Sequence, residues 1–205
     1  MYKFSYYTET DKDKVIAFMQ ENYFAAITGH GDEYPVATQV PLEIEIKEDG
    51  KILLSGHMMK NTDHHKAFSK NENVLVLFNG PHCYISASWY TTPEIGSTWN
   101  YMTVHAKGKI KFLDEAATIT AVENITNKHE GADTIASFDK LSQEYIQHMV
   151  KAIAAFEIEV VSLDNVFKLS QNRDNVSQQN IIEQLKKRSD AQSAAIAKEM
   201  EKRLH

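Results

Sequence analysis

The side chains of this sequence that could do chemistry gather in two segments. The first is GHMMKNTDHH (56–65), which places Gly56, His57, Lys60 and Asn61 where a strand stops and a helix begins. Backbone N–H groups at a helix start, an ammonium and imidazoles can together surround a phosphate, and a solvated strand-to-helix connection fits the same residues. The second is HCYISASWY (82–90) followed by STWNY (97–101), which holds both tryptophans together with Tyr84, Tyr90 and Tyr101. Aromatic walls of this kind suit a flat conjugated ligand, although such a cluster more often forms a core or a subunit interface.

Other chemistries find less support. There are nine histidines, yet no pair has the three- or four-residue spacing on a convincing helix that zinc sites use. His64 and His65 are adjacent, so on a helix they point in different directions. No metal site is expected. Gly-x-Ser-x-Gly and the phosphate-binding loops GxGxxG and GxxxxGK[ST] are absent, and Cys83 lies between apolar and aromatic neighbours, where a buried, inert thiol is the default. No catalytic residue is assigned.

The elements that must position these residues follow from periodicity. Thr10 is the expected cap of a first helix over 11–22, with Val15, Ile16, Phe18 and Met19 at helical spacing. YFAAIT (23–28), PVATQVPLEIEI (35–46) and KILLSG (51–56) have strand composition, with Gly50 in a hairpin turn. A short helix is expected near 62–70. VLVLF (74–78), YISAS (84–88) and YMTVHAKGKIKF (101–112) are further strands, the first two separated by Gly80-Pro81. Helical periodicity over 115–129 and 142–155, a strand over 156–169 and an amphipathic helix from about 176 complete the chain. The expected class is mainly β with peripheral helices (α+β), and strands this short favour a closed or nearly closed barrel that leaves no sticky edge. The expected organisation is a β domain over 1–172, with a helical insertion over 113–155, and a helical tail over 173–205.

A chain of 205 residues, 42% hydrophobic, can bury a sizeable core. Its net charge of −6 works against a sequence-independent hold on the nucleic-acid backbone, which comes from clustered Lys and Arg. The best basic cluster, Lys186-Lys187-Arg188, is offset by Glu183 and Asp190 and reads as a solvated helix face. One cysteine and an N-terminal stretch without a long apolar core lead to the expectation of a reducing cytoplasm. No apolar run approaches the roughly 18 residues of a membrane span.

Several stretches, in order along the chain, resemble the PaiB family of FMN-binding negative transcriptional regulators. They are PVATQVPL (35–42), SGH with KN (55–61), YISASWY (84–90), TWNYMTVHAKG (98–108), KHE (128–130), AIAAFEIEV (152–160) and FKLSQN (167–172). The family usually has ISPSWY and VPTWNY where this chain has ISASWY and GSTWNY. The resemblance implies an FMN-binding split β-barrel, related to the pyridoxamine-phosphate oxidase group, that works as a homodimer with flavin at the subunit interface. On that placement Thr38, Gln39 and Val40 line the isoalloxazine edge. Ser55, Gly56, His57, Lys60 and Asn61 reach the ribityl chain and phosphate, with Lys60 and His57 at the phosphate itself. Trp99, Asn100 and Tyr101 come from the neighbouring strand, of the other subunit. Ser170, Gln171 or Asn172 would close the last strand by side-chain hydrogen bonds.

Two other functions stay open at this level. One is an FMN-dependent oxidoreductase of a small substrate; the other is a haem-binding or haem-degrading barrel with His57 or His105 on the iron. A DNA or protein partner for the regulatory role is compatible with the family but is not supported by the acidic composition.

Overall fold

Asp11, rather than Thr10, starts the first helix, because its carboxylate accepts from the backbone N–H groups of Asp13 and Lys14. The computed structural model describes residues 1, 4–130 and 134–204. Its helices are α1 (Lys12–Glu21), α2 (Asp63–Lys70), α3 (Glu115–Glu130), α4 (Gln143–Ala152), α5 (Asn175–Lys186) and α6 (Ala191–Glu201). Its strands are β1 (Phe24–His30), β2 (Pro35–Pro41), β3 (Glu43–Ile46), β4 (Ile52–Met59), β5 (Asn73–Ile85), β6 (Thr98–Phe112) and β7 (Ile153–Lys168). They form one seven-stranded antiparallel sheet in the order β2-β1-β5-β6-β7-β4-β3, and the class is α+β as expected.

The chain divides into two compact units, one made of Met1–Asn22, Phe78–His105 and Asp164–His205 and the other of Tyr23–Leu77 and Ala106–Leu163. The second holds the barrel. Its first hairpin pairs β1 with β2 from Phe24↔Pro41 to His30↔Pro35, and its second pairs β3 with β4 around Gly50, whose φ is 79°. The expected single strand over 35–46 is divided at Leu42. β2 and β3 stand at opposite ends of the sheet order yet are consecutive in the chain, so this one residue brings the two sheet ends together and makes the barrel. Leu42 donates its N–H to the Tyr23 carbonyl and is buried. Alternation of side chains continues across it, which is why the sequence pattern carries no break there.

In the same unit α3 and α4 pack around Val122, Phe138, Ile146, Val150 and Ile153. Thr118 ties α3 to β7, donating to the Asp114 carbonyl and accepting from the Ala155 N–H. Of the helical insertion expected over 113–155, residues 131–133 lie outside the described residues.

The other unit corrects two further expectations. VLVLF and the Tyr84-Ile85 start of YISAS belong to one strand, β5, which runs through Gly80-Pro81 instead of turning there, and Ala87–Trp89 form a short 3-10 helix. A Cβ at Gly80 would lie 2.5 Å from the Phe18 ring, so the glycine serves the packing of α1 on the strand and not a turn. The tail is two helices. Asp190 accepts from the Ser193 N–H and starts α6 afresh, and Ile181, Leu185 and Ile196 turn inward from the pair. The closing segment behaves as read: Ser170 donates to the Asn100 amide oxygen, Gln171 accepts from the Leu169 N–H, and Asn172 accepts from the Tyr7 hydroxyl.

Candidate functional site

In β4 alternate residues face the core, and Leu54 and Met58 are buried while Ser55 and His57 face outward. Outside them lies α3, whose small residues Ala117 and Ala121 face the strand across the gap. Between strand and helix is a cleft of about 340 Å³, lined also by Pro41, Glu43, Gly56, Thr120, Asn124 and Glu157. The lining mixes aliphatic walls with a few polar groups. Gly56 is required by close approach: a Cβ would stand 3.0 Å from the Phe156 ring and 3.1 Å from the Pro41 carbonyl. Burial pushes the His57 imidazole below its usual pKa, so it is held neutral. Among the described residues neither the Ser55 hydroxyl nor the His57 ring has a hydrogen-bond partner, and both are available to a ligand.

Lys60 and Asn61 have other surroundings. The Lys60 ammonium donates to the Val150 carbonyl at 2.9 Å and its backbone N–H donates to the Ala152 carbonyl at 2.8 Å, so it caps the C-terminus of α4. Asn61 is exposed, with a left-handed φ of 65° that asparagine tolerates. At the start of α2 the Thr62 hydroxyl accepts from the His65 N–H and the Asp63 carboxylate from the His64 N–H. These N–H groups, which sequence reasoning offered to a phosphate, are engaged by the helix's own cap. The His65 ring packs on Phe112.

On β2, Val40 is buried in the core, Thr38 is half-buried and Gln39 is exposed; of this strand it is Pro41 that reaches the cleft. On β6, in the other unit, Trp99 and Tyr101 line a second cleft of about 440 Å³ with His82 and His105. Trp99 is half-exposed, with Tyr84 edge-on to its ring. Asn100 points the opposite way, fully buried, bonded to Ser170 and Met200. Of the expected residues, then, the structure gathers Ser55, Gly56 and His57 in one cleft and Trp99 with Tyr101 in another, and it turns Val40, Lys60 and Asn100 to structural contacts. Among the described residues no three His, Cys, Asp or Glu side chains converge to hold a metal.

A seven-stranded antiparallel sheet with flanking helices is the fold shared by flavin- and haem-binding split-barrel proteins. The flavocytochrome Anf3 from Azotobacter vinelandii shares it with a TM-score of 0.62, at 13% identity over 82% of this chain and 72% of that one. So does the FAD and heme binding protein from Mycobacterium smegmatis, with a TM-score of 0.58 at 12% identity over 78% and 73% of the two chains. At these identities the likeness is one of fold.

Within that class this chain belongs to the PaiB family. The family described as "Putative FMN-binding domain" matches residues 1–162. The Protease synthase and sporulation protein PAI 2 of Bacillus subtilis is 34% identical over 207 residues, 100% of this chain and 98% of the relative. A protein of Emericella nidulans, AN0679, is 27% identical over 73% of this chain and 75% of its own.

FMN is the cofactor of this family, and the residues of the β4 cleft fit part of it. Aliphatic walls suit the ring, and the unpartnered Ser55 hydroxyl and neutral His57 suit ribityl hydroxyls or ring heteroatoms. The cleft does not fit the phosphate. Its charged groups are the carboxylates of Glu43 and Glu157, and the neighbouring Lys128 is paired with Glu43.

Proposed function

We propose that the protein is an FMN-binding regulator of the PaiB type that works as a homodimer, with flavin occupancy or redox state as its signal. The observation that carries this reading is the pair of unpartnered polar side chains, Ser55 and His57, facing a cleft just large enough for part of a flavin. A cleft near the small end of the usual ligand range leaves the rest of the molecule to a second surface. Exposed Phe24, Met59 and Val161 on the barrel unit, and Trp99 on the other, are the apolar residues a partner copy would cover.

The regulatory output runs through a ligand or a protein partner and not through a basic reading helix. α5 and α6 form a helix pair, but Lys186 is paired with Glu201, and Arg188 donates to the Tyr84 carbonyl and lies over the Trp89 ring. A DNA reader needs such cations directed outward. The single, buried and unpaired Cys83 supports placement in a reducing cytoplasm. Among the described residues no helix is long and apolar enough to cross a membrane.

The neutral His57 also favours a second reading, in which that imidazole ligates haem iron. A visible spectrum of the protein reconstituted with FMN, and separately with haem, decides between them: the flavin reading expects saturable FMN uptake and no haem Soret band shift on titration. Anaerobic NADH or NADPH then tests for an oxidoreductase, since rapid bleaching of the bound flavin, with no regulatory partner present, would count against the regulator.

A further inference from the structure

In the unit that carries α1, α5 and α6, the turn after β7 holds two cations together without a carboxylate. Ser170 takes a left-handed φ of 62° and donates to the buried Asn100 amide oxygen, while the Gln171 side chain folds back onto the Leu169 N–H and the Phe167 carbonyl. The turn fixed in this way carries Lys168 on one side and Arg173 on the other. Lys168 donates to the Thr98 hydroxyl and lies 5.8 Å from the centre of the buried Tyr7 ring. The Arg173 guanidinium lies 4.7 Å over the Tyr90 ring.

Among the described residues neither cation has a carboxylate partner. Asp174, next in sequence, is engaged by Ser177 and Thr91. Burial, with the Arg173 charge nearby, holds the Lys168 pKa down. The Tyr90 hydroxyl is buried, which raises its pKa; the Arg173 guanidinium beside it works the other way, but no well-formed hydrogen bond to the hydroxyl is made among the described residues. Two partly desolvated like charges that feel one another, one of them over the ring of a tyrosine whose buried hydroxyl lacks a well-formed bond, are an unfavourable set unless a shared anion completes it. A carboxylate would neutralise only one of the cations, whereas a phosphate matches both and offers further oxygens to the hydroxyl.

We propose that Tyr90, Lys168 and Arg173 form a binding site for the phosphate group of a phosphomonoester, with Tyr7 as its wall. The proposal does not rest on the β4 cleft. FMN's own phosphate and that of a separate phosphorylated ligand share this chemistry, and the experiment separates them.

The test is thermal melting of the full-length protein with inorganic phosphate against chloride at equal ionic strength, in riboflavin, which lacks a phosphate. The wild type should show a saturable rise in Tm. In Tyr90→Phe, which removes one unpaired oxygen and keeps the fold, the phosphate concentration needed should rise about tenfold, and in Arg173→Gln further still. A wild-type response in Tyr90→Phe, or no saturable response in the wild type, overturns the site. FMN and riboflavin titrations of Tyr90→Phe then assign the source. Selective loss of FMN affinity means the flavin's own phosphate is held; unchanged FMN affinity with a lost phosphate response means a separate ligand.

Discussion

The Lys60 ammonium lies 2.9 Å from the carbonyl oxygen of Val150, in the last turn of α4. A cation there meets carbonyls that the helix leaves unpaired and the negative end of its dipole. Lys60→Met keeps the aliphatic stem and removes the charge, so it should lower stability by about 1 kcal/mol. It should change FMN and riboflavin affinity by the same small factor. Chemical denaturation with the two flavin titrations checks both; a loss confined to FMN would return Lys60 to the phosphate.

His57 ties stability to pH. Its folded pKa lies below the unfolded value, so between the two the unfolded chain binds the extra proton. Stability from this group is complete above the unfolded pKa of about 6.5 and is lost as pH falls below it. His65, also lowered by burial first, acts in the same direction. His57→Gln should therefore lose less stability than wild type between about pH 7 and pH 5.5. Urea midpoints at the two pH values measure the difference, and equal losses would mean that His57 protonates freely in the fold.

Gly56 sets how closely β4 approaches Pro41 and Phe156. Gly56→Ala should cost about 1–3 kcal/mol, because a backbone carbonyl must yield as well as a ring. Gly96→Ala meets nothing within 4 Å and serves as the control, with melting expected unchanged or slightly raised. Equal melting shifts for the two would remove the close approach from the account.

Asn100 is placed by its bonds as a structural residue. Asn100→Ala leaves the Ser170 hydroxyl, on a left-handed residue, without its buried partner. The expected loss is about 2–3 kcal/mol with flavin affinity unchanged in the folded fraction, read from melting and from FMN titration below the transition. A stable variant with weakened flavin binding would restore Asn100 to the site.

What was legible in the sequence follows from what is local. Helical spacing placed α1 to α4 within a few residues, and strand composition found every β segment. The choice of Thr10 over Asp11 was an error of one position, within reach of either side chain. The division at Leu42 and the continuity of β5 through Gly80-Pro81 were not legible, because both are decided by partners distant in sequence: the Tyr23 carbonyl for one and the Phe18 ring for the other. Lys60 shows the same limit. Its neighbours in sequence suit a phosphate, and the Val150 carbonyl that holds it is far along the chain. Tyr90 and Lys168 lay inside recognised stretches, YISASWY and FKLSQN, but their closeness to Arg173 is a product of the turn after β7.

The central claim is that flavin occupies the cleft between β4 and α3. FMN titration followed by fluorescence quenching, with wild type and Ser55→Phe compared, tests it most directly, because the new ring projects from the outward face of β4 into the cleft and leaves the core face of the strand untouched. Both proteins should melt cooperatively, and Ser55→Phe should bind FMN and riboflavin at least about tenfold more weakly, the loss a filled subsite brings. Wild-type affinity in a folded Ser55→Phe would contradict the claim and put the flavin elsewhere on the molecule.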